Sequence, residues 1–543
     1  DDWESTAGGE SAHIAVDPQD NDIVYGGSYD GFLTRINHKK GTARAINVWP
    51  DNPMGAGAEA MKYRFQWNFP IVFSKHNPNR LYTFSQHVHV TENEGQSWEV
   101  ISPDLTRNDP DKLKSSGGPI TQDNTSVEYY CTIFAADESP LVEGLLWVGS
   151  DDGLVHLSKD GGKNWENVTP KGMPEWMMIN SIEPSHFDAG TCYITGTKYK
   201  TGDFAPYLYK TTDYGKTWKK ITNGIAAEHF TRVLREDPKQ KGLLYAGTET
   251  GMYVSFDDGK VWKPFQLNLP IVPITDLAVK DNNLVVATQG RSLWIIDDLT
   301  LLHQLYDVSD ASTHLFQPKP TYRMRGGGRN GSLTSGANHP NGVITYFNLS
   351  EFSEDDKISL TYMTQQGDTI QSYNTKDKKK NLKVNKGANQ FVWDMTFDGA
   401  ETLPGMILWW SSLDGPQAVP GRYQVSLNVN GKVQNQSFDI IRDPRTESTQ
   451  EGMEAQFNFI TDVNKTVDAA HQSIKKIRSF NKQLESFQKQ YKDNDEVGDL
   501  VAKAKTIVEN LSEIEKALYQ TKNRSNQDPL NFPIKLTNKL GHL

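Results

Sequence analysis

An eight-residue pattern, S/T-x-D/N-x-G-x-x-W, occurs four times between residues 91 and 262. Its copies are Thr91, Asn93, Gly95 and Trp98; Ser158, Asp160, Gly162 and Trp165; Thr211, Asp213, Gly215 and Trp218; and Ser255, Asp257, Gly259 and Trp262. A short Asp or Asn side chain accepts hydrogen bonds from the backbone N–H groups of a turn, glycine supplies a positive φ, and tryptophan packs into the layer between sheets. Each copy therefore predicts a hairpin turn. Asn93, Asp160, Asp213 and Asp257 are expected to be structural, with Trp98, Trp165, Trp218 and Trp262, because a side chain already capping a turn is poorly placed to transfer protons.

Around each copy a longer unit recurs: an apolar strand, a turn rich in Pro, Asn or Asp, a second strand ending near glycine, a third strand, the eight-residue turn and an outer strand. Six units run through Ile14 to Leu33, Ile71 to Trp98, Thr132 to Trp165, Ile179 to Trp218, Val233 to Trp262 and Leu277 to Ile296. Repetition of a whole four-strand order every ~45 to 65 residues fits propeller blades better than a sandwich. Residues 1–302 are read as a β-propeller. The first and last units lack the pattern, so the ring is expected to be incomplete in this chain or closed by residues from upstream.

In such blades the loops joining second to third strands share one rim with the segments leading into each innermost strand, and the eight-residue turns occupy the other. The first rim then carries Tyr29, Asp30, Gln86, His87, Asp151, Asp152, Glu249, Gln289 and Arg291. The leading segments add Glu10, Gln66, Trp67, Glu128, Tyr129, Trp176, His229 and Arg232. Glu10, Glu128, Asp151 and Asp152 are the candidate catalytic acids. Trp67, Tyr129, Trp176, His229, Arg232, Glu249 and Arg291 are the candidate ligand contacts, set against the reading that a propeller rim is polar for solvation alone.

From about residue 310 the pattern changes to strand-like runs across Gly-rich turns, Gly342 to Leu349, Lys357 to Thr364, Gln390 to Phe397, Arg422 to Asn428 and Gln436 to Ile441, which argue an Ig-like β-sandwich over 310–445. Its expected core includes Phe347, Leu360, Trp393, Tyr423 and Val425. Arg325 to Arg329 reads as a basic loop and Lys376 to Lys380 as a solvated hairpin tip. Over 446–521 apolar residues fall three or four apart, from Phe457 to Tyr491 and again from Leu500 to Leu518, with Asp493, Asn494 and Asp495 between them. This predicts a helical hairpin, followed by a tail over 522–543. The fold class is mainly β, a propeller followed by a sandwich and a C-terminal α-helical hairpin.

Outside the eight-residue turns, the stretches ISPDLTRND (Ile101 to Asp109), GGPIT (Gly117 to Thr121), WVGSDDGL (Trp147 to Leu154), LLYAGTETG (Leu243 to Gly251), ATQGRSLWIIDD (Ala287 to Asp298) and GPQAVPG (Gly415 to Gly421) recur beside the turns in a known family. With the turns, which resemble the Asp-box or BNR repeat of sialidases and sortilin-type receptors, they make the chain resemble the Bacteroidetes BNR/YVTN propeller proteins, sortilin (VPS10)-like, that are automatically named glycosyl hydrolases. The resemblance covers essentially the whole chain. It implies export through a signal peptide, a place in the cell envelope or outside the cell, and more propeller ahead of Asp1. The chain starts at Asp1 without a signal-peptide pattern, so it is read as a processed chain or a fragment.

Sialidases need an arginine triad, a Tyr/Glu pair and an FRIP-like element, and no such element is present, which disfavours that activity. Two-propeller glucanases, similar through the Asp boxes, use opposed acids in a cleft, one as general acid and one as base, a pairing that Glu10, Glu128, Asp151 and Asp152 could supply. No HExxH, metal-type Cys cluster, G-x-S-x-G elbow or P-loop occurs, so no metal or cofactor is expected. Cys131 and Cys192 allow one disulfide or two buried thiols. The net charge of -11 disfavours nucleic acid as a partner, and no apolar run approaches the ~18 residues of a membrane span. The leading expectation is a binding scaffold for a glycan or protein ligand. The alternatives are a glycoside hydrolase and a structural subunit of a secreted or outer-membrane complex.

Overall fold

The computed structural model describes residues 4–10, 13–118, 120–125, 129–305, 308, 312–324 and 339–543. The chain divides into two compact units, Asp1–Tyr306 and Asp307–Leu543.

The first unit is a series of small antiparallel sheets, each with its strands in sequence order. Blade 1 comprises Ile14–Val16, Ile23–Gly27, Leu33–Asn37 and Thr42–Ala45; blade 2, Ile71–Phe73, Leu81–Phe84, Val88–Thr91 and Glu99–Val100; blade 3, Ile133–Glu138, Leu146–Ser150, Val155–Ser158 and Glu166–Asn167. Blade 4 follows with Met178–Pro184, Cys192–Lys198, Asp203–Thr211 and Lys219–Lys220, and blade 5 with Thr231–Glu236, Leu244–Thr248, Gly251–Ser255 and Lys263–Pro264. Blade 6 has three strands, Ile274–Lys280, Asn283–Thr288 and Leu293–Ile296, and leads into helix α1 (Thr300–Leu305). The innermost strands of successive blades pack on one another, which is the arrangement of a β-propeller.

The eight-residue turns carry out the expected capping and also join the blades. Asp160 accepts from Ser158 Oγ at 3.0 Å and Asn164 N at 2.9 Å, while Ser158 Oγ accepts from Gly162 N at 2.9 Å. Asp213 and Asp257 repeat this with Thr217 N and Val261 N, and Asn93 with Ser97 N. The tryptophan then reaches the preceding blade: Trp98 Nε1 donates to Ile46 O, Trp165 Nε1 to Ile101 O, Trp218 Nε1 to Val168 O and Trp262 Nε1 to Ile221 O, at 2.6–2.9 Å. The same residues fill the space beside the turn glycines. A Cβ on Gly215 (φ +77) would stand 2.6 Å from Val168 Cβ, and the other three glycines meet Ile46, Ile101 and Ile221 as closely. Only Trp262 is fully buried, at 2% exposure. Trp98, Trp165 and Trp218 are half-buried and pack at the border of the apolar clusters between blades.

A second joint lies near the same rim. Glu138 of blade 3 accepts from Ser74 Oγ (2.5 Å) and Lys75 N (2.9 Å) of blade 2, and Glu236 of blade 5 accepts from His186 N (2.8 Å) of blade 4.

Among the described residues, no such bond is made on the outward faces of blades 1 and 6. Ile14, Val16 and Phe32 of blade 1 and Leu293 and Ile295 of blade 6 are exposed. Gly41, in the blade 1 turn equivalent to the eight-residue turns, has nothing within 4 Å of a built Cβ. Among the described residues, no packing comparable to that between other neighbours joins the innermost strands of blades 6 and 1.

In the second unit, a three-stranded sheet (His314–Leu315, Val343–Leu349, Gly387–Trp393) faces a five-stranded sheet (Thr321–Arg323, Lys432–Arg442, Gly421–Val429, Ile358–Thr364, Thr369–Asn374). They share a core that includes Phe347, Leu360, Trp393, Tyr423 and Val425, with Tyr362 stacked on Trp393 at 4.7 Å. Arg325 to Arg329 lies outside the described residues. Helix α2 (Gln450–Gln490), capped by Thr449, and helix α3 (Gly498–Leu518) pack as a hairpin, and a short helix α4 (Leu536–Leu540) packs on both. No helix among the described residues is long and apolar enough to cross a membrane.

Replacing the buried indole in Trp262→Ala removes its packing and its bond to blade 4, and should lower unfolding stability by about 3–5 kcal/mol. Asp160→Ala, which removes only a turn cap, should cost about 0.5–2 kcal/mol. Urea unfolding of the two variants beside the parent checks both, and equal midpoints for Trp262→Ala and parent would refute the joint.

Candidate functional site

The rim opposite the eight-residue turns forms as expected. Asp151 N, at the second-to-third-strand loop of blade 3, bonds Thr132 O before the innermost strand; Glu249 N and Phe230 O pair likewise in blade 5, and Gln289 N and Pro273 O in blade 6. The loop of blade 2 supports its neighbour, through Ile133 N to Ser85 O.

Two of the candidate catalytic acids are structural. Asp151 is buried and accepts from Thr132 N (2.9 Å) and Thr132 Oγ1 (2.7 Å). Burial pushes its carboxyl up to about 7 against the pull of those bonds. Asp152, also buried, accepts from Ser150 Oγ (2.5 Å) and Arg107 N (2.7 Å), and its carbonyl accepts from Arg107 Nε (2.8 Å). Both tie loops that sequence alone leaves unpaired. Glu10 lies exposed in a turn before blade 1, and Glu128 is outside the described residues.

What Asp152 holds is more informative. The Arg107 guanidinium carbon lies 4.7 Å from the Trp176 ring centroid, and Tyr130 stacks on Trp176 at 6.2 Å and 27°. Lys112 Nζ stands 5.6 Å from the same ring. Trp176, Tyr130 and Arg107 are each half-buried, so this aromatic and cationic group is partly open to solvent. Trp176 adopts φ +59, a left-handed backbone that a bulky residue rarely takes and that clusters at functional positions.

A second group lies on blades 4 and 5. Tyr199 and Phe230 stack at 4.9 Å and 11°, and Arg232 covers both while pairing with Glu249 at 2.6 Å. Phe204, half-exposed, adjoins Phe230. His229 Nδ1 bonds Tyr253 OH at 2.8 Å. The structure thus unites Arg232 with Glu249 and retains Trp176, but Tyr129 is withdrawn. It is buried against Ala58, Leu113 and Cys131, which corrects its expected role as a ligand platform. Trp67 is half-buried, and Arg291 is exposed with its carbonyl bonded by Trp294 Nε1. Gln86 is buried, with its Oε1 accepting from Arg64 N.

Sequence reading missed Arg107, Tyr130, Tyr199 and Phe230. Tyr130 and Phe230 do carry a signal, since each is an aromatic residue in a segment leading into an innermost strand. Cys131 and Cys192 are both buried free thiols. Along the innermost strands, Arg235 bonds Asp276 (2.8 Å) and Ser181 Oγ (2.8 Å) and lies 3.6 Å from Glu183, while Lys75 lies 3.6 Å from Asp137. These charges satisfy one another. Among the described residues no group of three or more His, Cys, Asp or Glu could hold a metal ion.

No protein-family model matches the chain. In sequence it is 26% identical over 111 residues to the oligoxyloglucan-reducing end-specific xyloglucanase of Emericella nidulans, a stretch covering 19% of this chain and 13% of that protein. The chain thus matches only a small part of the length of this curated relative. Similar solved structures include the GH74 xyloglucanase from Xanthomonas campestris (TM-score 0.39, 14% identity, 80% of this chain and 60% of that one) and the GH74 enzyme of Niastella koreensis (0.38, 14%, 62% and 50%). Another is YCF48 bound to D1 peptide (0.35, 17%, 53% and 83%). Glycoside hydrolases therefore stand among the proteins this chain is similar to, while the propeller itself is read from the sheets described above.

The buried Asp151 gives a pH signature. A folded-state pKa raised from 3.8 to about 7 means that the folded protein holds a proton the unfolded chain has lost. The stabilising contribution is complete below pH ~4 and disappears as pH rises through ~7. Relative to parent, Asp151→Asn should become progressively more stable between those limits. Thermal unfolding at pH 4, 5.5 and 7 measures this, and parallel profiles would refute it.

Proposed function

We propose that the first unit is a glycan-recognising propeller, related to glycoside hydrolases, whose rim binds a neutral polysaccharide on the surface made by Tyr130, Trp176 and Arg107. The observation that carries this reading is the partly solvent-open stack of Tyr130 on Trp176, fixed by Arg107, which Asp152 in turn holds. Flat aromatic faces take up the C–H faces of sugar rings, while the bordering side chains of Arg107 and Lys112 offer N–H groups to hydroxyls. The carboxylates Asp151 and Asp152 are engaged in structural bonds, and Glu249 is paired with Arg232. This favours recognition over bond cleavage by those residues. A xyloglucan-type β-glucan is the first ligand to test, being the polymer in the name of the Emericella nidulans relative. An exported or envelope location, with or without a place in a larger complex, suits such a ligand.

A second reading, hydrolysis, is favoured by that same sequence match. It would need acids other than Asp151 and Asp152, with Glu10 and Glu128 the remaining candidates.

Electrophoresis through gels containing xyloglucan should retard the parent, and Trp176→Ala should weaken the retardation by about tenfold, an effect equivalent to ~1.4 kcal/mol. Circular dichroism checks that the variant remains folded. Equal retardation of folded variant and parent would refute the rim site. Release of reducing ends by the parent, abolished in Glu10→Gln or Glu128→Gln, would make hydrolysis the correct function.

A further inference from the structure

We propose that Trp409 and Trp410, on the second unit, form a separate carbohydrate platform that takes a neutral β-linked glucan chain. The ligand class rests on the reading of the first unit, but the site shares no residue with it.

The two indoles are parallel to within 3°, with centroids 6.0 Å apart, and Trp410 is 80% exposed. Trp393, by contrast, is wholly buried in the sandwich core. An indole left in water forgoes the favourable burial of a large apolar surface. Trp410 also holds φ +47. A bulky residue in the left-handed region persists only where the surroundings over-determine it.

Those surroundings come from the C-terminal segment. Asn538 of helix α4 clasps the Trp409 backbone from both sides, accepting from Trp409 N at 2.7 Å and donating to Trp409 O at 2.9 Å. His542 Nδ1 lies 2.9 Å from Trp410 O, and Ser412 N donates to Gly541 O at 2.9 Å. The loop is therefore held before any ligand arrives, which lowers the ordering cost of binding. Within the loop Ser412 Oγ donates to Asp414 at 2.5 Å.

The exposed indole of Trp410, on a loop held in place, matches the flat face of a sugar ring. Equatorially substituted β-linked glucose presents C–H bonds on its flat faces, so the indole takes one face and the ring hydroxyls stay in water.

The test uses the full chain and three variants, Trp410→Ala, Trp410→Phe and Trp176→Ala, in gels containing xyloglucan or hydroxyethylcellulose, with phosphatidylcholine vesicles as a separate cosedimentation arm. Trp410→Ala should reduce retardation by about tenfold with the unfolding midpoint unchanged, because the side chain is exposed, and Trp410→Phe should restore most of it. Loss in Trp410→Ala but not in Trp176→Ala would support the platform and refute the rim site. Loss in Trp176→Ala alone would refute the platform and leave the rim site standing, whereas loss in both supports both. Absence of retardation in every gel, or cosedimentation with vesicles that Trp410→Ala abolishes, would overturn the platform.

Discussion

The first unit depends on one repeated contact, the bond from a turn tryptophan to a backbone carbonyl of the preceding blade. Each blade alone is a sheet of three or four strands, too small to bury both of its faces. The glycine that admits an Ile or Val of the neighbour, and the indole that caps the same neighbour's chain, make the pairing of blades specific. Non-polar packing supplies the area between sheets, but it is non-directional. The directional part comes from these bonds and from Glu138 and Glu236, which reach back to the preceding blade. Where the series stops, at the outward faces of blades 1 and 6, apolar side chains remain exposed.

With the turns on one rim engaged in holding blades together, the opposite rim is free to vary. Its carboxylates nevertheless follow the same logic as those of the turns. Asp151 and Asp152 satisfy backbone N–H groups that loop geometry leaves unpaired, and a buried donor without a partner is costly. Asp152 also holds Arg107, which lies over Trp176. Of the described rim acids, Asp151 and Asp152 are turned inward and Glu249 is paired with Arg232, while Glu10 is exposed.

The second unit treats its tryptophans in two ways. Trp393 lies at the centre of the sandwich, stacked on Tyr362, whereas Trp409 and Trp410 sit in a loop anchored by the C-terminal segment. The tail after the helical hairpin thus has a structural task, to fix a loop more than a hundred residues earlier in the chain. Nothing in the periodicity of α2 and α3 announces this.

The sequence by itself determined the blades, their turns, the core of the sandwich and the helical hairpin, because each of these rests on local spacing. A capping Asp or Asn, a positive-φ glycine and an indole fall within one eight-residue turn, and apolar residues three or four apart act along one helix. Tertiary structure decided which acids are available for chemistry. Asp152 meets Arg107 across 45 residues and Arg232 meets Glu249 across 17, pairings set by how loops converge at a rim. Tyr129 and Tyr130 are neighbours in sequence, yet one is buried and the other stacks at the surface. Side-chain burial at the end of a strand is fixed by what packs there, and that partner comes from another blade.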